Sequence, residues 1–312
     1  MNKKETRIIF MGTPNIAATV LEAMILDGFN IVAVIAQPDK PVGRKAILQP
    51  VPTKVIATQY NIPVYQPVKI KHDYEFVKEL NPDVIVTIAY GQIVPQGLLD
   101  IPKYGCLNLH GSILPKYRGA SPIQTAIISG ETRSGITLME MIDKMDAGRM
   151  FAKEYVDISI DDDTTSLFIK MGDAAKNLII RELPNYIDGL LPGEEQNEEE
   201  VTYCHMIKHE DEKLNLELTC QELVNWIRGL AQEPGGYLLE DGHKFKIYKA
   251  KVANDLVTDE VGKIVKCDKN GLYLQCVNGQ LALLEVQKEG KKKMDYKSFV
   301  NGNANFLNTI LK

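Results

Sequence analysis

The first third of the chain alternates short, largely apolar runs with stretches that have apolar residues at helical spacing. The apolar runs are residues 7–12, 30–36, 83–89 and 106–109, and the helical stretches are 17–26, 53–59 and 73–80. Buried strands that alternate with helices are typical of a mostly parallel sheet covered on both faces. The sequence therefore predicts an α/β, Rossmann-like N-terminal domain whose active site lies beyond the carboxyl ends of its strands.

The pattern changes after a charged stretch at residues 194–200. Beyond it, one helix (219–230) is accompanied by several short alternating runs, which are separated by turn pairs such as Asn270-Gly271 and Asn278-Gly279. Several short strands with one helix predict a small OB-like β-barrel. We therefore predict two domains joined by an exposed linker, with these bounds: 1–192, 193–206 and 207–312.

Charge and composition limit the possible partners. The formal net charge is −5, and 45% of the 312 residues are hydrophobic, as in ordinary soluble proteins. Residues 207–312 contain 16 Lys and Arg against 15 Asp and Glu, so net charge alone does not indicate nucleic-acid binding. Any binding of nucleic acid must therefore depend on local basic clusters.

The cysteines indicate a reducing compartment. The chain has 5 cysteines and no Cys-x-x-Cys pair, which argues against both a disulfide framework and a tetrahedral zinc site. No apolar run approaches the roughly 20 residues of a membrane span, and the N-terminus has no signal-like apolar core. We expect a cytoplasmic monomer without a metal ion or a membrane contact.

Three polar residues follow apolar runs in a pattern that suits acyl transfer. Asn108 and His110 end one run, and Asp146 follows the run at 136–141. An amide can donate a hydrogen bond to an oxyanion, an imidazole can supply a proton or a positive charge, and a carboxylate can hold the imidazole. Each residue alone has an ordinary structural interpretation as a cap or a surface acid. Together they predict transfer of an acyl group to an amine without a serine or cysteine nucleophile.

A nucleotide-binding site is not indicated. The first strand is followed by Gly12-Thr-Pro14 instead of G-x-G-x-x-G, and no G-x-x-x-x-G-K-[ST] run occurs in the chain. The sequence therefore does not predict an NAD or ATP site.

The segment from Asn108 to Gly119, with its Asn-x-His pair and its Ser-x-Leu-Pro-x-Tyr-Arg-Gly turn, resembles the signature of the 10-formyltetrahydrofolate-dependent formyltransferases. The later Asp146-Ala-Gly148 belongs to the same signature. The loop around Arg44, Pro38-Asp-Lys-Pro-Val-Gly-Arg44, resembles the methionyl-tRNA formyltransferase family in particular, and the likeness extends over nearly the whole chain.

The resemblance implies a reaction and its substrates. The formyl donor is 10-formyltetrahydrofolate, and the acceptor is the α-amine of methionine esterified to initiator tRNA. Asn108, His110 and Asp146 match the catalytic trio of the family. Asn108 and protonated His110 would stabilise the oxyanion, and Asp146 would pair with the charged imidazole.

The resemblance also implies two sets of binding residues. The folate-binding residues it implies are Ser112, Ile113, Leu114, Pro115, Ile88, Tyr90, Gln92 and Asp143. The candidate tRNA-binding residues are Lys40, Arg44, Lys45, Lys244, Lys246, Lys291, Lys292 and Lys293. The first three lie on a long loop whose prolines and glycine disfavour a helix or a strand, and long loops are usually functional. Alternation along a strand would place Lys244 and Lys246 on one face, although solvated hairpins would explain the same lysines.

Other activities remain compatible with parts of this pattern. A sugar-nucleotide formyltransferase or a formyltetrahydrofolate hydrolase would share the trio and the folate turn, but should lack the Arg44 loop. A noncatalytic RNA-binding protein would explain the barrel and the lysines, but not the trio. The tRNA enzyme is the alternative that uses all three features.

Overall fold

The computed structural model describes residues 1–42 and 47–312, so Arg44 and Lys45 lie outside the described residues. The chain divides into two compact units. The first comprises Met1–Pro122, Arg133–Asp157 and Phe168–Cys204, and the second comprises Ile123–Thr132, Ile158–Leu167 and His205–Lys312. Two short segments of the predicted N-terminal domain (1–192) therefore belong with the second unit, a division that local sequence pattern does not reveal.

The described residues form the following elements. The helices are α1 Asn15–Leu26, α2 Pro52–Gln59, α3 Glu75–Leu80, α4 Gln96–Leu99, α5 Pro122–Ile128, α6 Thr164–Ile187, α7 Cys220–Leu230 and α8 Tyr296–Gly302. The strands of the first unit are β1 Ile8–Gly12, β2 Ile31–Ile35, β3 Lys40–Val42, β4 Ile47–Gln49, β5 Val64–Tyr65, β6 Val84–Ile88, β7 Cys106–His110, β8 Arg118–Gly119, β9 Arg133–Glu140, β10 Met150–Asp157 and β11 Tyr203–Cys204. Those of the second unit are β12 Gly236–Glu240, β13 His243–Asn254, β14 Ile264–Asp268, β15 Gly271–Cys276, β16 Gly279–Lys288 and β17 Met294–Asp295.

The first unit contains a seven-stranded sheet in the order β10-β9-β7-β6-β1-β2-β5. Strands β5, β2, β1, β6 and β7 are parallel, and every residue of β1 and β6 is buried, as expected for strands covered on both faces. The structure thus confirms the α/β fold with a mostly parallel sheet.

Strand β9 runs antiparallel to β7, with Leu107 opposite Glu140 and His110 opposite Thr137. The run at 136–141 that precedes Asp146 is thus part of a strand that ends at the opposite edge of the sheet from β7, and not beside His110 as a parallel arrangement would require. A parallel pair requires a crossover connection, usually a helix packed on the sheet. The helix between β7 and β9 is α5, and nearly all of it belongs to the second unit.

The predicted loop after β2 contains a two-stranded ribbon. Strands β3 and β4 pair antiparallel, with Lys40 opposite Gln49 and Pro41 opposite Leu48. The prediction that this segment forms neither helix nor strand is therefore wrong for its two arms. Both strands of a two-stranded ribbon are edge strands, which tolerate proline because one row of N–H groups needs no partner in the sheet.

The predicted exposed linker contacts the first unit. Residues 198–200 are exposed, but Gln196 is 8% exposed, and Glu194 exchanges two backbone hydrogen bonds with Met150. Farther along, β11 pairs in parallel with β8. This segment is therefore part of the first unit's structure and not a free tether.

The second unit contains an antiparallel sheet in the order β12-β13-β16-β15-β14, with β17 paired to β16. Helix α7 begins at a capping box of Thr219 and Glu222 and contributes buried residues to the core under this sheet. The last residues of the chain bond to both outer strands: Asn308 N–H donates to Ile264 O, and Leu239 N–H donates to Lys312 O.

No helix among residues 1–42 and 47–312 is long and apolar enough to span a membrane. The five cysteines are free thiols, four of them buried.

Candidate active site

Asn108 and His110 lie on the same face of β7, because alternate residues of a strand point the same way. Asn108 is half-buried, with Thr87 of β6 on one side and Met139 of β9 on the other. His110 is the last residue of the strand and is 5% exposed. The sheet therefore presents an amide and an imidazole side by side at its carboxyl edge.

Both ring nitrogens of His110 face oxygen atoms. The Nε2 atom lies 2.9 Å from the carbonyl oxygen of Tyr117, and Nδ1 lies 3.6 Å from Oδ1 of Asp146. A carbonyl oxygen only accepts, so this contact requires a proton on Nε2. An imidazolium, with protons on both nitrogens, matches both oxygens, whereas the neutral ring would turn a lone pair toward the carboxylate.

Asp146 is held by one backbone N–H and one side-chain amide, both from distant parts of the chain. Its φ of 52° lies in the left-handed region, its Oδ2 accepts a hydrogen bond from Gly119 N–H at 2.9 Å, and its carbonyl oxygen accepts one from Gln196 Nε2 at 2.8 Å. The loop between β9 and β10 returns Asp146 to His110. Gly148 permits that return, because a Cβ atom there would meet Glu140 O at 2.1 Å.

The turn after β7 is held mainly by its own polar groups. Ser112 is fully buried, its hydroxyl donates to Lys116 O at 2.6 Å, and its carbonyl oxygen accepts from Thr137 Oγ1 at 2.7 Å. Leu114 is also fully buried and donates its N–H to Thr137 Oγ1. Of the four residues predicted to bind folate here, only Ile113 and Pro115 have partly exposed side chains. Ser112 and Leu114 shape the turn instead of presenting side chains to a ligand.

The segment after β6 contains a buried tyrosine. Ile88 and Tyr90 are each 3% exposed, and Tyr90 O accepts hydrogen bonds from Thr13 Oγ1 and Gln37 Nε2. Among the described residues, the Tyr90 hydroxyl and Thr87 Oγ1 are buried without a hydrogen-bond partner. Burial raises the pKa of Tyr90 to about 12, so the hydroxyl stays protonated at neutral pH and is available as a donor.

Gln92 and Asp143 differ in their surroundings. The Gln92 side chain accepts from Ile70 N–H at 2.9 Å and donates to Gln37 Oε1 at 3.2 Å, so it joins neighbouring loops. Asp143 is exposed on the loop between β9 and β10. Within residues 1–42 and 47–312, no group of three or more His, Cys, Asp or Glu residues is arranged to hold a metal ion.

The candidate tRNA-binding lysines fall into two groups. Lys244 and Lys246 lie on the half-buried face of β13, opposite the buried face, and both have partners: Lys244 approaches Glu212 at 3.7 Å, and Lys246 donates to Pro234 O. Lys293 pairs with Glu285 at 2.9 Å. Lys40, Lys291 and Lys292 are exposed, and Lys293 is exposed despite its ion pair.

Sequence reasoning missed two residues that support Asp146. Arg118 is 1% exposed, and its Nε donates to Gln196 Oε1 at 2.9 Å. Its NH2 group donates to Glu198 at 2.9 Å, which lowers the pKa of that carboxyl. The two missed residues are Arg118 and Gln196. In the sequence Arg118 is only one position of the turn motif, and nothing local indicates its acceptors, which lie about 80 positions farther along the chain.

Comparison with known proteins agrees with this architecture. The formyl transferase model matches residues 6–183, and the formyl transferase C-terminal domain model matches residues 206–304. The methionyl-tRNA formyltransferase of Bacillus subtilis is 44% identical over 300 residues, covering 95% of each chain. That of Lactobacillus johnsonii is 40% identical over 299 residues, again covering 95% of each chain.

A solved structure supports the fold independently. The N-formyltransferase from Helicobacter canadensis, in complex with folinic acid and dTDP-3-aminofucose, matches with a TM-score of 0.67 at 21% identity, covering 91% of this chain and 99% of that one. At this identity the likeness concerns the fold alone. The two domain models and the full-length relatives go further, and on them the chain belongs to the methionyl-tRNA formyltransferase family.

Proposed function

We propose that this protein transfers the formyl group of 10-formyltetrahydrofolate to the α-amine of methionyl-initiator tRNA, giving N-formylmethionyl-tRNA for translation initiation. The observation that carries the proposal is the arrangement of Asn108, His110 and Asp146, three residues that the fold gathers from two separate segments, in a chain 40–44% identical to named methionyl-tRNA formyltransferases.

The chemistry needs stabilisation of negative charge and relocation of one proton. The amine nitrogen attacks the formyl carbon, the bond from that carbon to folate N10 breaks, and a proton passes from the amine to N10. The Asn108 amide donates to the formyl oxygen as it becomes negative; loss of one such donor typically costs about 10²–10³ in rate. Both His110 nitrogens already face oxygen atoms, so His110 acts chiefly through its positive charge, which Asp146 stabilises.

The residues near β6 suit the folate. Thr87 and Tyr90 contribute buried, unpartnered hydroxyls, and Tyr90 belongs to an apolar cluster that includes Val94 and Leu98. An apolar wall with a few polar groups is typical of sites for heteroaromatic ligands. We assign the folate to this cluster and to Ile88, Ile113 and Pro115. When bound, the folate supplies the formyl group. Gln92 and Ser112 would stabilise the loops around this site through their hydrogen bonds to Ile70, Gln37 and Lys116.

For the tRNA we propose contacts at the ribbon β3–β4, with Lys40, Arg44 and Lys45, and at the exposed Lys291 and Lys292. We extend the proposal to Lys244, Lys246 and Lys293, whose internal partners would have to yield to phosphate. Catalysis is assigned to residues 1–192 and tRNA binding to residues 207–312, joined by 193–206.

We infer further that the second unit's sheet is an OB-like barrel closed by residues 308–312. Support comes from their backbone hydrogen bonds. On one side they bond to Leu239 in β12, and on the other to Ile264, the first residue of β14, and to Gly262, which precedes it. Because the acceptor is an aminoacyl-tRNA and the cysteines are free thiols, we place the protein in the cytoplasm. We propose that it acts there as a monomer.

An acceptor comparison tests the proposal. The full-length protein is incubated with 10-formyltetrahydrofolate and, separately, methionyl-initiator tRNA, free methionine, a dTDP-amino sugar or no acceptor. We expect efficient formyl transfer to methionyl-tRNA alone. Faster transfer to the sugar would identify a sugar formyltransferase, and rapid formate release without an acceptor would identify a hydrolase.

A further inference from the structure

Gln196 is a buried amide in an otherwise exposed acidic segment, and its hydrogen bonds point in two directions. Its Oε1 accepts from Arg118 Nε at 2.9 Å, whereas its Nε2 donates to Asp146 O at 2.8 Å and to Gly148 O at 2.9 Å. Both N–H groups and the oxygen of the amide are therefore used. The side chain connects the loop that carries Asp146 to a buried arginine.

Arg118 fixes the orientation of the Gln196 side chain through the hydrogen bond to its oxygen. The arginine is 1% exposed, and its planar guanidinium also donates to Glu198 at 2.9 Å, so Gln196 and Glu198 receive its donors in one fixed geometry. Burial of a charge costs free energy even when the charge is paired, and apolar replacements of buried pairs are often no less stable. We therefore expect the buried arginine to fix the position of Gln196 more than to add to the stability of the fold.

The same chain segment holds the partner of His110. Thr202 Oγ1 accepts from Tyr117 N–H at 2.9 Å, and Thr202 O accepts from Arg118 N–H at 2.9 Å. Tyr117 O is in turn the acceptor that faces His110 Nε2. Residues 196–202 thus contact the supports of both His110 and Asp146.

We propose that Arg118 and Gln196 are positioning residues: they fix the backbone of Asp146 so that its carboxylate stays in contact with His110. The inference rests on the proposed function, because it assigns Arg118 and Gln196 to the same reaction. It goes further by making residues 196–202 of the first unit part of the catalytic apparatus, through Tyr117 and Asp146, which contact His110.

Gln196→Glu tests the proposal with minimal change of shape. Glutamate keeps an oxygen for Arg118 but has no N–H for Asp146 O and Gly148 O, which it would repel. We expect kcat to fall about 10- to 100-fold, because misplacement by about 1 Å costs up to about 10²-fold. KM for folate and for methionyl-tRNA should stay within about twofold of wild type, since ground-state binding is unaltered.

Glu199→Gln is the matched control. Glu199 is exposed, lies in the same acidic segment and belongs to no part of this network, so its variant should have wild-type kcat. Thermal unfolding verifies that each variant is folded. If Gln196→Glu does not fold, Gln196→Asn replaces it; that variant keeps the amide but shortens its reach, and the same expectations apply.

A double-mutant cycle separates positioning from general structural damage. If Gln196 acts through Asp146, then Gln196→Glu should reduce kcat by no more than about twofold in an Asp146→Asn background. Equal losses in both backgrounds, or a loss confined to KM, would overturn the proposal. Full activity of Asp146→Asn by itself would overturn it too, by removing Asp146 from the mechanism, whereas a wild-type protein inactive on methionyl-tRNA would refute the proposed function instead.

Discussion

At the scale of single residues, the candidate site depends on contacts that fix the orientation of the Asp146 carboxylate and of the His110 imidazole. Asp146 has a left-handed backbone, donors to two of its oxygens, and an imidazole nitrogen 3.6 Å from a third. His110 is buried between that carboxylate and the carbonyl of Tyr117. Substitutions that keep shape and remove charge therefore probe function more cleanly than truncations.

Asp146→Asn should lower kcat for formylation by about 10²-fold or more, as expected when the group that stabilises the positive charge beside the developing oxyanion is lost. Asparagine tolerates a left-handed backbone and retains an oxygen for Gly119 N–H, so the fold should be preserved. Steady-state kinetics and thermal unfolding measure the two effects. Asp241→Asn is the matched control, because Asp241 is exposed and has a similar φ of 48°. Equal activities of the two variants would rule out a catalytic role for the Asp146 carboxylate.

Tyr90→Phe should raise the stability of the free protein. An unpaired buried hydroxyl costs about 1–3 kcal/mol, so its removal should increase the free energy of unfolding by about 1 kcal/mol. If the hydroxyl donates to the folate, KM for 10-formyltetrahydrofolate should rise by about 5- to 10-fold at the same time. Tyr186→Phe provides the contrast: that hydroxyl donates to Tyr104 O at 2.7 Å, so its loss should destabilise. Destabilisation by Tyr90→Phe would show that the hydroxyl is paired after all.

At the scale of elements, the pattern of apolar residues predicts where a strand lies better than it predicts the direction in which the strand runs in the sheet. The apolar runs that became β1, β2, β6 and β7 were predicted within one or two residues, because strands buried on both faces are apolar throughout. Strand β9 is antiparallel to β7, and the connection between them, α5, belongs almost entirely to the second unit, which no local pattern encodes. Strand β10 was missed because its run, Met-Phe-Ala-Lys-Glu-Tyr-Val-Asp, has mixed polarity.

Gly148→Ala tests the loop between β9 and β10. This loop brings Asp146 back to His110 although β9 ends at the opposite edge of the sheet from β7. An added Cβ atom would meet Glu140 O at 2.1 Å, a backbone atom that cannot move aside alone, so the loop must shift and carry Asp146 with it. We expect kcat to fall about tenfold or more, with a smaller effect on KM. Gly302→Ala is the control, because a Cβ atom there meets nothing within 4 Å. Wild-type kcat in Gly148→Ala would show that Asp146 does not depend on this approach.

At the scale of the whole molecule, the site combines residues that sequence places far apart. The motif identified Asn108, His110 and Asp146 because each lies at or just after the end of an apolar run. In contrast, Gln196 is separated from Arg118 by 78 positions and lies among five glutamates. Such a sequence context is typical of a solvated linker. Its burial results from tertiary contacts alone, and these could not be read from composition.

The whole molecule also presents an electrostatic problem, since a chain of net charge −5 must bind a polyanion. Exposed lysines at the turn between β16 and β17 are suited to this, whereas Lys244 and Lys293 already have glutamate partners. If Lys291 and Lys292 each contact a phosphate, their joint replacement by glutamine should weaken methionyl-tRNA use. It should also reduce the slope of log KM against log salt by about 2, one unit for each lost contact.

The measurement is KM for methionyl-tRNA across a range of salt concentrations, with KM for folate as the internal reference, which should not change. Lys69→Gln with Lys71→Gln serves as the control, because both lysines are exposed in the first unit and outside the candidate tRNA surface. Arg44→Ala should also reduce the slope by about one unit, because it would remove the phosphate contact that we propose for Arg44. An unchanged slope for the Lys291 and Lys292 variant, beside a reduced slope for Arg44→Ala, would confine the phosphate contacts to the first unit and leave the second without a direct part in tRNA affinity at this turn.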